Sequence, residues 1–183
     1  LFDETKRLLK ETEQRNAELA VINSVQEGLV REMNIQGIYD LVGEKIREIF
    51  DAQVIDIVTY DRKTNMIEDR YSYEKGDRTL LGNREPKGFR KDVIDSLQPV
   101  VVNEGLEKHF DVNNPIVVGD FPKSVVFVPM VVAGEIKGVI SLQNIDHEHA
   151  FTDSDVSLLT TLANSMSVAL ESARLFDETQ HLL

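Results

Sequence analysis

Residues 124–144 read Ser124-Val-Val-Phe-Val-Pro-Met-Val-Val-Ala-Gly134-Glu-Ile-Lys-Gly138-Val-Ile-Ser-Leu-Gln-Asn144, and how they are read decides the fold. Two runs rich in β-branched residues flank a short polar break containing Gly134, a residue free to take the positive φ of a hairpin turn. A β-hairpin is expected here. Pro129 removes one ladder donor, so an edge or a bulge is expected at that point. Downstream, Phe151-Thr-Asp-Ser-Asp-Val156 offers Thr152 as N-cap, Asp155 in a capping-box role, and Phe151 against Val156 as a hydrophobic staple. A long helix is expected to begin near Asp153. Along it Val156, Leu159, Ala163, Met166, Leu170 and Ala173 recur at steps of three and four, the spacing of a seam that packs on another helix. Leu158, Leu162 and Ala169 form a second apolar line, so one line is assigned to the sheet and the other to a partner helix.

Working outward toward the N-terminus, 99–103 reads as a short strand and 88–97 as a short helix, behind a charged, glycine-containing loop over 74–86. Residues 54–60 alternate with period two, placing Ile55, Ile57 and Thr59 on one face and Val54, Asp56, Val58 and Tyr60 on the other. A carboxylate such as Asp56 inside an apolar strand must face water, a pocket or a partner. A polar turn over 61–65 leads into a second strand over 66–73. Asn34 can cap a helix whose Ile38, Leu41, Val42, Ile46 and Ile49 form one face. Residues 1–31 contain no proline, and Leu1, Leu8, Leu19, Ile22, Val25 and Leu29 fall at helical spacing, which predicts one long helix that needs a partner to be stable.

The first nine residues, Leu1-Phe-Asp-Glu-Thr-Lys-Arg-Leu-Leu9, recur as Leu175-Phe-Asp-Glu-Thr-Gln-His-Leu-Leu183 with seven of nine positions identical. A repeat of this kind suggests a tandem array in which the last helix of one unit becomes the first helix of the next. The division expected is a linker helix over 1–20, one domain over 21–174, and the start of the next linker helix over 175–183.

Composition narrows the chemistry. A content of 42% hydrophobic and 28% charged residues is that of a globular chain, and no apolar run is long enough to span a bilayer. With 20 basic against 32 acidic side chains, the net charge of −12 disfavours nucleic acid and anionic membranes as partners. The chain has no cysteine, hence no disulfide, no thiol nucleophile and no thiolate metal ligand, which is compatible with a cytoplasmic location. Asp146-His-Glu-His149 contains good zinc ligands but has the spacing of a solvated turn, and no metal site is assigned to it. His109 and Asp111 have no hydroxyl or thiol nucleophile beside them, so no catalytic residue is assigned either. Gly134 and Gly138 lack the spacing of a phosphate loop and are read as turn and close-packing residues. Tyr71, Tyr73, Phe89, Phe110 and Phe127 suit either the lining of a cavity for a planar ligand or an ordinary core.

The pattern Ser124-x-x-x-Val128-Pro129-Met130, Gly134-x-x-x-Gly138-Val139-Ile140-x-Leu142, Phe151-Thr152-x-x-Asp155-x-x-Leu158-Leu159-x-x-Leu162-Ala163 and Ala169-Leu170-Glu171-x-Ala173-Arg174-Leu175 resembles the C-terminal half of a GAF domain. The order of elements over 21–175 is similar throughout. The resemblance implies an α+β fold of GAF/PAS-like type: a central antiparallel β-sheet, first and last helices packed on one face, and a loop-covered pocket on the other. It also implies that 104–123 is a lid. The Asn-Lys-x-x-Phe-x-x-x-Asp-Glu pattern of cyclic-nucleotide-binding members is missing, as are the cysteines needed to reduce free methionine sulfoxide or to attach a bilin by a thioether. What remains is a non-catalytic regulatory module that senses an unidentified small molecule, with no cofactor assigned, or else a ligand-free spacer. The candidate ligand-binding residues are Asp56, Tyr60, Tyr71, Phe110, Phe127 and Ser141. A homodimer is expected, with Leu8, Leu19, Ile22, Leu159, Ala163, Met166 and Leu170 at the helix interface.

Overall fold

The computed structural model describes residues 1–32, 34–109 and 120–182. Its centre is a five-stranded antiparallel sheet in the order β2-β1-β5-β4-β3, built from β1 (Val54–Asp61), β2 (Met66–Glu74), β3 (Val100–Val102), β4 (Ser124–Val132) and β5 (Glu135–Asn144). The β4–β5 pair is the hairpin expected from the sequence. Ala133 and Gly134 both take positive φ, 51° and 79°, which is what a two-residue hairpin turn requires. Pro129 pairs with Val139 on the β5 side, while β3 reaches only residues 125–127 of β4. The missing donor of Pro129 therefore falls where the outer edge of β4 is no longer paired, next to a register shift between Met130 and Val131. Gly138 permits the close approach of β1, since a Cβ there would lie 2.2 Å from the carbonyl oxygen of Val58.

Three helices cover one face of the sheet. They are α1 (Phe2–Arg31), α2 (Ile35–Ile49) and, after the short α3 (Gly88–Ser96) on the other face, α4 (Asp153–Leu182). The Asn34 side chain accepts from the amides of Gln36 and Gly37 and starts α2. Thr152 and Asp155 start α4 by exchanging bonds: the Asp155 amide donates to Thr152 Oγ1 at 3.1 Å and the Thr152 amide to Asp155 Oδ2 at 2.9 Å. Between these helices and the sheet lies the larger core, with Val25 and Leu29 of α1, Ile38, Val42 and Ile46 of α2, Ile55 and Ile57 of β1, and Leu159, Leu162, Ala163 and Met166 of α4. The architecture expected from the sequence, helices on one face and a covered pocket on the other, is the one observed.

The partner helices that the seam calls for are α1 and α2 of the same chain, so Leu159, Ala163 and Met166 do not present themselves to a second copy. Leu159, Ala163 and Met166 are fully buried in the chain's own core, as is Leu162 of the second line, and Leu170 and Ile22 are partly buried. A long helix crossing a wide sheet beside two other helices uses both apolar lines within one subunit. Leu8 and Leu19, in contrast, are exposed. No helix among the described residues is long and apolar enough to cross a membrane.

Candidate ligand-binding cavity

The period-two alternation of β1 sends Val54, Asp56 and Val58 to the face opposite the three helices. There they meet a second, smaller apolar cluster formed with Ile67, Val93, Ile94, Leu106, Val125, Phe127 and Val139. Between this face and residues 74–90 is a cavity of about 830 Å³. Its wall is held in place by two ion pairs that reach from loop or helix to the sheet.

The deeper pair is Asp56 with Arg90, the latter in the first turn of α3. Arg90 Nη2 donates to Asp56 Oδ2 at 3.0 Å and lies 3.4 Å from Ser141 Oγ, while Ser72 Oγ donates to Asp56 Oδ1 at 2.7 Å. Both side chains are mostly buried, 15% and 21% exposed. The guanidinium carbon of Arg90 sits 5.6 Å from the centre of the Phe127 ring, and Phe127 meets Phe89 at 5.5 Å between ring centres. Arg90 Nε is buried without a hydrogen-bond partner. Hydroxyls, a carboxylate, a guanidinium and two tilted aromatic rings thus converge on one corner of the cavity.

The second pair fixes the far wall. Asp69, 5% exposed, accepts from Arg84 Nη2 and from the Leu81 amide, each at 2.7 Å. The backbone of Arg84 also bridges to Ile67 of β2. The loop over 74–86 is therefore a laced wall whose Leu81 and Arg84 line the space, together with Lys87 just beyond it. At the rim Lys75 donates to Asp120, a bond that holds the lysine pKa above its usual value.

The candidate residues of the sequence reading separate accordingly. Asp56 and Phe127 line the cavity, and Ser141 is buried beside the Asp56–Arg90 pair. Tyr60 lies on the same face but further along β1, where its hydroxyl donates to Asn65 at 3.0 Å, outside the cavity lining. Phe110 lies outside the described residues, as does half of the lid expected over 104–123, of which Pro122 lines the cavity.

Tyr71 is on the opposite face and is corrected. A register shift pairs Ile57 with Tyr71 but Val58 with Asp69, so Arg70 is an extra residue and the alternation of β2 changes sign there. Tyr71 consequently packs against Gly43 of α2, fully buried, and donates to Glu44 Oε1 at 3.0 Å. Burial, and then the Glu44 carboxylate, push its pKa up to about 12. The same bulge brings Ser72 into the cavity. Ser72, Arg90, Asp69 and Arg84 were not singled out by the sequence reading, because no local pattern marks residues joined only by the tertiary fold.

The two histidines of the 146–149 turn each face a carboxylate, His147 with Asp51 at 2.9 Å and His149 with Glu104 at 3.1 Å. Glu104, Glu148 and His149 bring donor atoms within 4.8 Å of one another, all on the exposed surface. Exposed side chains gather in this way without an ion, and the arrangement assigns no metal.

A five-stranded antiparallel sheet sealed by helices on one side, with a mixed polar and aromatic cavity on the other, places the domain among small α+β folds. Residues 32–171 match the family described as GAF domain, and the chain belongs to that family. No curated protein matches the sequence. Among solved structures, the GAF domain of an Acinetobacter phosphoenolpyruvate-protein phosphotransferase is similar with a TM-score of 0.77 and 16% identity, over 87% of this chain and 96% of that one. A free methionine-R-sulfoxide reductase from Neisseria meningitidis, in complex with its substrate, gives 0.69 and 16% over 86% and 90%. A far-red absorbing dark-state protein with bound biliverdin IXa gives 0.64 and 18% over 84% and 99%. At these identities the likeness is one of fold.

Proposed function

We propose that this domain is a non-catalytic sensor whose cavity between the sheet and residues 74–90 takes a small molecule and whose α1 and α4 carry the result to a neighbouring output domain. The observation supporting this reading is the cavity itself, large enough for a ligand of drug or metabolite size and furnished with a few convergent polar groups against aromatic walls. Asp56 is placed to couple the two sides: its carboxylate faces the cavity, while its neighbours Ile55 and Ile57 are buried against the helices. A ligand that disturbs the Asp56–Arg90 pair acts on β1, and β1 on α2 and α4. Such coupling requires a ligand that favours one arrangement over the other. The homologous fold of a sulfoxide reductase is consistent with a small-molecule site here, but the chain lacks a cysteine to supply thiol redox chemistry.

A second reading, a structural spacer, draws on a specific fact: Asp56 with Arg90 and Asp69 with Arg84 already satisfy one another. Thermal unfolding against cyclic nucleotides, nucleobases, free amino acids and aromatic acids separates the two. A ligand at a hundred times its Kd stabilises by about 2.7 kcal/mol, a rise of roughly 5 to 10 °C for a chain of this size. That rise is expected for at least one compound, and is expected to vanish in a Ser72→Trp variant whose indole occupies the cavity floor. A flat panel, or a rise that survives Ser72→Trp, supports the spacer.

A further inference from the structure

The Asp56–Arg90 pair leaves its own guanidinium half used. Nε and Nη2 share one edge of that planar group, the edge a carboxylate grips with two parallel bonds. Asp56 fills only part of it. Its Oδ2 accepts from Nη2 at 3.0 Å, but Oδ1 accepts from Ser72 Oγ at 2.7 Å, and Arg90 Nε is buried with no partner among the described residues. A buried donor without an acceptor is unfavourable, and native structures seldom keep one. Asp56, Ser72 and Arg90 all line the cavity, so the corner is short of one acceptor on the side where a ligand can supply it.

Charge limits what that ligand is. Asp56 and Arg90 are mostly buried and together neutral. A monoanion that took Arg90 would strand Asp56 as a buried, unpaired charge, and a monocation that took Asp56 would strand Arg90. The wider lining also disfavours an anion. With Asp56 matched to Arg90, Asp69 to Arg84 and Lys75 to Asp120, the charges left on the lining are Glu74, Asp77 and Glu85 against Lys87, in a chain of net charge −12. A molecule that carries a carboxylate and an ammonium side by side leaves neither residue unpaired. Its carboxylate takes the Nε–Nη2 edge with two bonds, and its ammonium donates to Asp56, which keeps the bond from Ser72.

We infer, resting on the reading of this cavity as a ligand site, that its ligand is a free α-amino acid inserted between Asp56 and Arg90. The surroundings select the side chain. Phe89 and Phe127 meet at 5.5 Å between ring centres beside the corner, and Ile67, Leu81 and Val125 continue the apolar wall. Apolar and aromatic amino acids fit this wall, and acidic ones meet Glu74, Asp77 and Glu85. The volume of about 830 Å³ admits even the largest of them. Insertion replaces a direct tie between α3 and β1 by one that runs through the ligand, so the bound and empty domains differ at the strand that packs on the helices.

Isothermal titration calorimetry with L-phenylalanine and L-leucine, beside phenethylamine and 3-phenylpropionate, which each keep one of the two charges, tests this. At least one amino acid is expected to bind about tenfold or more tightly than either single-charge compound. Asp56→Asn removes the partner of the ammonium and frees Arg90. It is expected to weaken the amino acid by about tenfold and to bind 3-phenylpropionate more tightly than the wild type does, a reversal that a loosened fold would not produce. The wild-type comparison does not depend on the variant folding. Amino acids that bind no better than phenethylamine or 3-phenylpropionate, or an Asp56→Asn chain that keeps the wild-type order, would overturn the inference and leave the cavity a ligand site. No binding by any of the four would overturn it too, and the sensor reading falls with it only if the broader thermal panel is also flat.

Discussion

Tyr71 shows how one residue's position follows from another's. Arg70 bulges, Tyr71 turns beneath α2, and its phenol is closed off from water beside Glu44. Its pKa, raised from about 10 to about 12 by burial first, means that the folded chain holds this proton more tightly than the unfolded one. The stability linked to it is complete below pH 10 and is lost as pH rises toward 12. By pH 11 the loss is on the order of 1 kcal/mol. Urea unfolding of the wild type and Tyr71→Phe is expected to show the variant weaker at pH 8, where it lacks the Glu44 bond, with the gap narrowing between pH 9.5 and 11.5; a constant gap would contradict the burial account. Tyr71 was grouped with the candidate ligand residues as an aromatic suited to a planar ligand, a criterion that does not say which face of the sheet it occupies. A bulge is set by the partner strand's register, which no local spacing displays, whereas Asp56, on a strand with regular alternation at that point, was legible from period two.

Elements were legible where their signals are local. The Thr152 and Asp155 cap, the Asn34 cap and the Gly134 turn each sit where a few adjacent residues dictate them. The two apolar lines of α4 were legible as a sheet contact and a helix contact, and α1 and α2 of the same chain supply the second; the spacing itself does not say whether a helical neighbour belongs to the same chain or to another copy. The charged stretch over 74–86 read as a loose loop, but is tied down by Asp69, a residue distant in sequence from Leu81 and Arg84. Removing that carboxylate leaves Arg84 half-buried without its partner and frees the Leu81 amide. Asp69→Ala is expected to cost about 3 kcal/mol and to raise hydrogen exchange across 78–86 well beyond the rest of the sheet. Equal protection in both chains would show that the wall stands without the pair.

At the scale of the molecule, the sheet divides two environments. Its helix face is a continuous core, and its other face is broken by a cavity whose corner is made of Asp56, Ser72, Arg90 and Phe127. The resemblance seen in the sequence supplied this division, but the wall that the structure describes comes mainly from residues 74–90. The division makes a direct demand on experiment. Amide NMR of the isotope-labelled chain, titrated with a library of small aromatic acids and amines, reports where such molecules settle. The expected result is binders whose shifts centre on Asp56, Ser72, 88–90 and Phe127, with smaller changes passing to β1 and α4. Binders that gather on the helix face, or a cavity that takes none of them, would contradict the sensor reading.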